Sequence, residues 1–411
     1  MASGPPSLLV IGLNYTPEPV GIGPYTGGLC EALARSGHAV TAIVGKPYYP
    51  QWRSDPAYAG GWRHEQASGV RLVRCPHYVP QDPVGIRRFA HLISFAITAL
   101  VPAVRVALRE RPQVVLCVAP ALLSVIPAIL AAWLCGARLW VHVQDFEVEA
   151  AFATGLMRRG SLAGRLALAL EGWLLRQADR VSTISPQMLN KLTDKGIPAG
   201  RQFELRNWAD ARFVPDPAGA EQIRSAWNLQ GRIVALYSGN IARKQGIEIL
   251  IEAARALQHR PDIAFVICGE GPNRKQLEMQ AEGLGNVQLR DLQPAEHMGA
   301  MLAMADLHLL PQIAGAADLV LPSKLTNMLA SGRPVVTTAA PGTGLYNEVD
   351  GCGICVPPDD AQALAQAIAA LVDDPGRMAR LGHAAADRAA ERWQQDAILA
   401  RTITALRALT G

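Results

Sequence analysis

Short apolar runs alternate with longer amphipathic stretches along most of this chain. In the first half, runs rich in Val, Ile and Leu predict strands at residues 8–12, 39–44, 70–74, 114–118, 139–143 and 180–184. In the second half the same pattern predicts strands at residues 233–237, 263–268, 287–289, 307–310, 334–337 and 354–356. Strands that alternate with helices indicate parallel sheets. The pattern therefore predicts an α/β protein with two Rossmann-like, doubly wound domains.

The alternation loosens once, in a passage at residues 207–231 that is rich in Pro, Asp and Ala. We take this passage as a linker between a first domain at residues 1–206 and a second at residues 232–390. Residues 391–411 are predicted to form a C-terminal helix, with the option of packing back on the first domain. Because ligands bind at the carboxyl ends of strands in such sheets, a ligand site is expected in a cleft between the domains.

Two apolar segments of the first domain raise the question of membrane contact. Residues 114–137 contain no charged side chain, so they fit either a membrane span or a buried strand and helix, and the prolines at 120 and 127 favour the buried pair. Residues 87–109 place bulky apolar groups between arginines, which is typical of a helix in a membrane interface and also of an ordinary surface helix.

Charge and cysteine content narrow the functional classes. The net charge of +4 is too small for a dedicated nucleic-acid-binding protein. The first 205 residues carry 20 basic and 13 acidic side chains, whereas the remainder carries 19 and 22. This asymmetry favours peripheral attachment of the first domain to an anionic membrane surface. Seven scattered cysteines and the lack of a recognisable leader predict free thiols and a cytoplasmic location.

A glycine-rich, basic segment directly follows the first strand of the second domain. It begins with Gly239 and Asn240, contains Arg243 and Lys244, and ends at Gly246 before a predicted helix. Glycines let the backbone approach an anion, the helix start offers free N–H groups, and the two cations add charge. The segment therefore predicts a diphosphate site, although it matches neither a Walker A loop nor a dinucleotide fingerprint.

Two further segments belong to the same predicted sheet edge. Residues 269–272, Gly-Glu-Gly-Pro, follow the next strand, and Pro322 with Ser323 suits the start of a helix. The N–H groups near Ser323 and Lys324 are therefore predicted to meet a second phosphate oxygen or a ribose.

In the order of these segments the chain resembles the retaining glycosyltransferases of the GT-B fold, in the large family 4 of bacterial sugar transferases. Six segments carry the resemblance, at residues 21–23, 37–40, 239–246, 269–272, 330–336 and 342–360. Residues 14–23 and 317–324 look closest to the exopolysaccharide branch of the colanic-acid type.

The resemblance implies a reaction and its partners. It implies transfer of a hexose, with retention, from a GDP- or UDP-sugar (GDP-fucose is one option) to a lipid-linked saccharide in exopolysaccharide biosynthesis. A polyprenyl-diphosphate acceptor would be met at the cytoplasmic face of the membrane, with Arg87 and Arg88 as the nearest cations to its diphosphate. No cofactor is expected, and no metal either, because the chain has no Asp-x-Asp sequence.

The resemblance also implies site residues. Lys244 and Arg243 would stabilise the departing diphosphate, and Asp145 would orient a sugar, since front-face transfer uses no protein nucleophile. Candidate donor-binding residues are Gly239, Asn240, Glu270, Pro272, Ser323, Lys324, Asn327 and Glu348. Candidate acceptor-binding residues are Glu18, Gly21, Gly23 and His142.

The chain departs from the family pattern at two places. The usual pair of glutamates eight residues apart would fall at Leu319 and Asn327, so Asn327 or the turn at Ser323 is expected to replace the ribose contact. Gln144 stands where a histidine often lies, and His142 fits a core histidine as well as a site residue. A nucleotide-sugar epimerase of the same fold and a non-catalytic nucleotide-sugar-binding protein stay open as alternatives.

Overall fold

The structure is a computed structural model of the 411-residue chain. It describes residues 4–19, 21–82, 85–119, 122–153, 157–158, 160–208, 215–241, 245–313 and 322–410. The chain divides into a first unit, Met1–Asn207 with Asp396–Gly411, and a second unit, Trp208–Gln395.

The first unit is built on an eight-stranded sheet. Its strands are β1 (Leu8–Gly12), β2 (Val40–Gly45), β3 (Arg63–Ala67), β4 (Val70–Cys75), β5 (Val114–Ala119), β6 (Arg138–Val143), β7 (Arg180–Thr183) and β8 (Gln202–Glu204). They lie in the order β3-β4-β2-β1-β5-β6-β7-β8, and every pair except β3 with β4 is parallel. All six strands predicted for this part of the chain are present. The two additional strands, β3 and β8, lie at the edges of the sheet.

Helices cover the sheet of the first unit. They are α1 (Gly23–Arg35), α2 (Gly85–Glu110), α3 (Val125–Cys135), α4 (Glu147–Ala153), α5 (Leu162–Arg176) and α6 (Pro186–Asp194). Phe95 of α2, Ala128 of α3, Leu174 of α5 and Met188 of α6 belong to one buried apolar cluster. The strand residues of that cluster alternate along the chain, so α2, α3, α5 and α6 lie on one face of the sheet.

Residues 114–137 are a strand and a helix of this core. β5 lies between β1 and β6, and α3 follows it and ends at Gly136, which adopts a left-handed conformation. The alternative of an inserted helix is therefore wrong, because the first part of the segment is a central strand. Pro127 lies in the first turn of α3, which continues past it to Cys135, and Pro120 lies outside the described part of the chain.

Within the described residues, one helix is long and apolar enough to cross a membrane. This is α2, with a mean hydropathy of 1.8 in its most apolar window, of which 39% is buried. Phe95, Ala99 and Ala103 on its inner side are fully buried in the core cluster. α2 thus packs as a core helix of the first unit and leaves its outer side uncovered.

The second unit is built on a six-stranded parallel sheet. Its strands are β9 (Ile233–Ser238), β10 (Ile263–Cys268), β11 (Val287–Arg290), β12 (Leu307–Leu310), β13 (Val335–Thr338) and β14 (Gly353–Val356), in the order β11-β10-β9-β12-β13-β14. All six were predicted from the apolar runs. The helices of this part of the chain are α7 (Pro217–Ala226), α8 (Glu248–Ala256), α9 (Arg274–Ala281), α10 (Met298–Ala303), α11 (Lys324–Ala330), α12 (Gly344–Val349), α13 (Ala361–Val372) and α14 (Pro375–Trp393), and α15 (Gln395–Thr410) follows them.

Residues 207–231 were expected to form a linker, but the helix α7 lies within this range. Asp216 caps this helix by accepting from the N–H of Gly219 at 2.9 Å, and Ala220 packs in a buried cluster with Val234 and Leu236 of β9. Residues 217–226 therefore belong to the second unit. The helix was missed because it is short and only one of its residues is buried.

The C-terminal helix α15 belongs almost entirely to the first unit. Its Ala405 carbonyl accepts a hydrogen bond at 3.0 Å from the guanidinium of Arg180, the first residue of β7. The chain thus returns to the first unit after completing the second.

Candidate functional site

Two loops run side by side at the carboxyl edge of the second unit's sheet. The Gly239 N–H donates to the Cys268 carbonyl at 2.9 Å, and the Ile241 N–H donates to the Glu270 carbonyl at 2.8 Å. β9 and β10 are parallel neighbours, so both loops leave the sheet at the same edge. The backbone of residues 239–241 is therefore fixed to the backbone of residues 269–273.

Close backbone contact explains two of the glycines. A Cβ at Gly269 would lie 1.9 Å from the Gly239 carbonyl oxygen, and a Cβ at Gly271 would lie 2.2 Å from the Ile241 carbonyl oxygen. Gly271 also has a φ of +155°. Neither position has room for a side chain, and the two loops form one rigid wall at this edge of the sheet.

Lys324, the first residue of α11, reaches this wall. Its Nζ lies 3.8 Å from the centroid of the Tyr237 ring, and a Cβ at Gly239 would lie 3.3 Å from the same atom. The Tyr237 hydroxyl donates to the Asn240 carbonyl at 2.8 Å, which holds the ring in place. The Lys324 side chain has no hydrogen bond or ion pair with any described residue. Burial lowers the pKa of Lys324 to about 7. A phosphate placed here would supply the missing counter-charge.

The lowered pKa of Lys324 predicts a pH dependence of donor binding. Below about pH 7 the free protein carries an ammonium here, whereas above it the amine is neutral and binding has to take up a proton. The affinity for a nucleotide sugar, measured by calorimetry, should therefore fall as the pH rises above about 7, by up to ~10-fold per pH unit. Lys324→Arg, which stays charged, should give a flat profile. The same slope in both proteins would rule out Lys324 as the titrating group.

The other predicted donor residues are distributed around this point. Arg243 and Lys244 lie outside the described residues. Ser323 is the exposed N-cap residue of α11 and makes no side-chain capping bond, and Asn327 lies one turn into the same helix. Glu270 forms an exposed ion pair with Arg274 at 2.8 Å, and Pro272 next to it is exposed.

Glu348 has a structural role that the sequence did not predict. Its side chain is only 3% exposed, and its carboxylate is paired with Arg392 of α14 at 3.2 Å. This pair joins α12 to α14 across 44 residues of sequence. The predicted contact of Glu348 with donor hydroxyls stays a prediction, and the geometry gives the carboxylate a partner inside the fold.

In the first unit, Glu18 lies in the glycine-rich loop between β1 and α1 and links this loop by hydrogen bonds to the segment after β2. It is 3% exposed, and its carboxylate accepts from the Asn14 amide at 2.9 Å and from the N–H groups of Tyr48 and Tyr49 at 3.2 Å. Burial raises the pKa of Glu18. The predicted acceptor residue therefore shapes the loop through three hydrogen bonds of its own.

Gly21 and Gly23 pack closely on this arrangement. A Cβ at Gly21, whose φ is +76°, would lie 3.2 Å from the Tyr49 ring, and a Cβ at Gly23 would lie 3.0 Å from the Cβ of Glu18. The predicted acceptor residues of this loop thus lie close together, because Glu18 contacts Tyr49 and Gly23, and Gly21 contacts Tyr49.

His142 was expected to be either a core histidine or a site residue, and its surroundings are those of a core histidine. It is 3% exposed, its Nδ1 lies 2.9 Å from the Ser182 hydroxyl, and burial lowers its pKa to about 3. The histidine is therefore neutral and structural, and its assignment to the acceptor site has no support in this geometry.

Asp145 and Glu147 lie at the carboxyl end of β6. Asp145 is half-buried, and Glu147 begins α4, where it accepts from the N–H of Leu122 at 3.1 Å. Burial raises the pKa of Glu147 to about 8, and the nearby Asp145 carboxylate adds to this effect. Asp145 was predicted from the sequence and Glu147 was not, although a second carboxylate two residues after Asp145 was a visible signal.

Comparisons with known proteins agree with this architecture. The family model for the glycosyl transferase 4-like domain matches residues 20–208, and the model for glycosyl transferases group 1 matches residues 220–388. The chain is 42% identical over 373 residues to WcaI of Escherichia coli K12, named as a colanic acid biosynthesis glycosyl transferase, with 88% of this chain and 91% of that protein covered.

Solved structures share the fold at low sequence identity. Anabaena HepE in complex with UDP gives a TM-score of 0.73 at 16% identity, with 98% of this chain and 100% of that chain covered. Sucrose-phosphate synthase from Thermosynechococcus elongatus gives 0.75 at 21% identity, with 98% and 99% covered. The chain belongs to the group 1 glycosyl transferases with a glycosyl transferase 4-like first domain, and it is a glycosyltransferase of the GT-B fold.

Proposed function

We propose that this glycosyltransferase moves a hexose, with retention, from a GDP- or UDP-sugar to a polyprenyl-diphosphate-linked saccharide in exopolysaccharide biosynthesis. The observation that carries the proposal is the position of Lys324 between the Tyr237 ring and Gly239, with no ion pair to any residue that the structure describes, because a cation held there suits a diphosphate. The name of the 42% identical relative supports the exopolysaccharide pathway, and the UDP in the HepE structure supports a nucleotide donor.

In the proposed reaction, the main task of the enzyme is to stabilise the negative charge that develops on the departing diphosphate. The bond between the anomeric carbon and the diphosphate oxygen breaks while the acceptor oxygen bonds to the same face of that carbon, and the acceptor proton passes to the departing diphosphate. Lys324 stabilises the negative charge that develops, with Arg243 and Lys244 as further proposed cations. Asp145 and Glu147 are proposed to orient acceptor hydroxyls.

Because cationic side chains are proposed to stabilise the negative charge of the departing diphosphate, we propose that no metal ion takes part in the reaction. Treatment with EDTA should therefore leave the transfer rate within about twofold of the untreated enzyme. A loss of activity that Mg²⁺ or Mn²⁺ restores would contradict this part of the proposal.

We further propose that the first unit attaches to the cytoplasmic face of the membrane. Since α2, α3 and α5 lie on one face of the sheet, their outer sides form one surface, which we call the outer helical surface. Large exposed apolar side chains on it are Ile97, Val101, Leu108, Trp133, Leu162, Leu166, Leu170 and Trp173. The charged residues that α5 exposes are both arginines, Arg165 and Arg176, and α3 has none. Apolar groups with arginines suit an anionic lipid surface.

The outer helical surface predicts a defined effect on vesicle binding. Leu166→Ser with Trp173→Ser should weaken binding to phosphatidylglycerol vesicles at least ~10-fold, and high salt should weaken binding of the unmodified protein, as measured by flotation. Met279→Ser, which removes an exposed apolar side chain from the second unit, is the control. Equal losses in control and variant, or protein released only by detergent, would contradict peripheral attachment through this surface.

A transfer assay tests the proposed function. Purified protein is incubated with a polyprenyl-diphosphate-linked saccharide and with UDP- and GDP-hexoses in turn, and the anomeric configuration of the product is read by NMR. Transfer from one of these donors with retention is expected. Efficient glycosylation of free sugars without use of the lipid-linked saccharide would overturn the acceptor assignment.

A further inference from the structure

Aromatic rings gather beside the glycine-rich loop of the first unit. The Tyr48 ring lies 4.7 Å from His91 and 5.2 Å from Trp52, and Trp52 lies 5.3 Å from His91, between ring centroids. Tyr49 meets Trp52 edge to face at 6.4 Å and 82°. Tyr48 and His91 are buried, whereas Tyr49 and Trp52 are half-buried. The two half-buried rings therefore form the solvent side of the cluster.

Several polar atoms of this cluster have no partner within the described part of the chain. The Tyr49 hydroxyl and the Trp52 indole N–H make no hydrogen bond there. His91, which is 1% exposed, places its Nδ1 2.5 Å from the Tyr78 carbonyl and leaves its buried Nε2 without a partner. Unused donors on an aromatic surface are the groups that a polar ring-shaped ligand would engage.

The backbone at Trp52 is strained. This residue has a φ of +51°, a region that bulky side chains rarely adopt. Such conformations persist where the surrounding structure enforces them, and they concentrate at ligand-binding sites. Here the indole packs against both Tyr48 and His91, and these contacts accompany the strained conformation.

Arg88 adds a cation to the solvent side. It lies on α2 three residues before His91, so the two residues share one face of the helix. Arg88 is exposed, and its side chain has no ion pair or hydrogen bond with another described residue. Burial raises the pKa of Tyr48 and of Tyr49, and the positive charge of Arg88 opposes this rise at both phenols.

Aromatic rings with free donors beside a guanidinium match one ligand chemistry. The C–H face of a sugar ring packs on an aromatic ring, its hydroxyls accept from the phenol and indole, and a phosphate on the anomeric carbon pairs with arginine. We propose that Tyr49, Trp52 and Arg88 form a subsite for the glycosyl phosphate portion of the lipid-linked acceptor. This inference rests on the acceptor proposed above.

Binding of glucose 1-phosphate, measured by calorimetry in a Lys324→Met background that removes the donor-site cation, tests this subsite. Trp52→Gly, which removes the ring and accepts a positive φ, and Arg88→Gln should each weaken binding at least ~10-fold. Tyr49→Phe, which removes only the hydroxyl, should weaken it ~3-fold or more. Trp62→Ala, which removes an exposed tryptophan outside the cluster, is the matched control and should stay within about twofold.

The outcomes separate the subsite from the proposed function. Unchanged binding in Trp52→Gly and Tyr49→Phe, with loss only in Arg88→Gln, would show a phosphate contact without a sugar subsite and would overturn the inference. An unchanged KM for the lipid-linked saccharide in Trp52→Gly and Arg88→Gln would overturn it too, while leaving the transfer reaction intact. Loss of glucose 1-phosphate binding in these variants of an enzyme that glycosylates only free sugars would keep the subsite and reject the proposed acceptor.

Discussion

Lys324→Met is expected to lower kcat at least ~10²-fold in a protein that still folds. A positioned charge that stabilises a leaving group in an enclosed site contributes about this much. Methionine keeps an unbranched apolar side chain against the Tyr237 ring and removes only the cation. Initial rates with the nucleotide-sugar donor measure the effect, and circular dichroism checks the fold.

Lys275→Met is the matched control for this substitution. Lys275 lies on α9 in the same unit and is exposed, so its loss should leave kcat within about twofold. Activity of a folded Lys324→Met protein within a few-fold of the unmodified enzyme would show that the diphosphate does not rely on this side chain.

The second large effect is expected from Gly269→Ala. The new methyl group would stand 1.9 Å from the Gly239 carbonyl oxygen, so the two loops have to separate. We expect the free energy of unfolding of the second unit to fall by at least ~2 kcal/mol, together with loss of donor binding. Urea denaturation measures the first effect and calorimetry the second.

Gly285→Ala serves as the control, because no atom lies within 4 Å of its added Cβ. It should change the unfolding free energy by no more than ~0.5 kcal/mol. A Gly269→Ala protein as stable as this control, with unchanged donor affinity, would contradict the rigid contact between the loops.

Buried strands could be predicted from sequence, and edge elements could not. Continuous apolar runs such as Leu8–Gly12 and Ile263–Cys268 are buried on both faces, which gives each a clear signal. Arg63–Ala67 is a polar strand that pairs on one side only, and most of its residues are exposed. Gln202–Glu204 has three residues, too few for any periodicity.

The site could be predicted as a set of segments, and the roles of its side chains could not. The order of glycines placed residues 239–241 and 269–272 on one sheet edge, because parallel strands end together. The partners of single side chains depend on distant residues: Glu348 meets Arg392, and His142 meets Ser182. The burial that lowers the pKa of Lys324 also depends on residues far away in the sequence, among them Tyr237, whose ring centroid lies 3.8 Å from its Nζ.

A thermal-shift measurement with UDP and GDP tests most directly whether a nucleoside diphosphate binds beside Lys324. A ligand that binds only the folded protein raises its Tm, and at 100 times its Kd the stabilisation is about 2.7 kcal/mol. One of the two nucleotides should raise the Tm of the unmodified protein, and the shift should disappear in Lys324→Met and persist in Lys275→Met. No shift with either nucleotide, or the same shift in Lys324→Met, would contradict a donor site at this position.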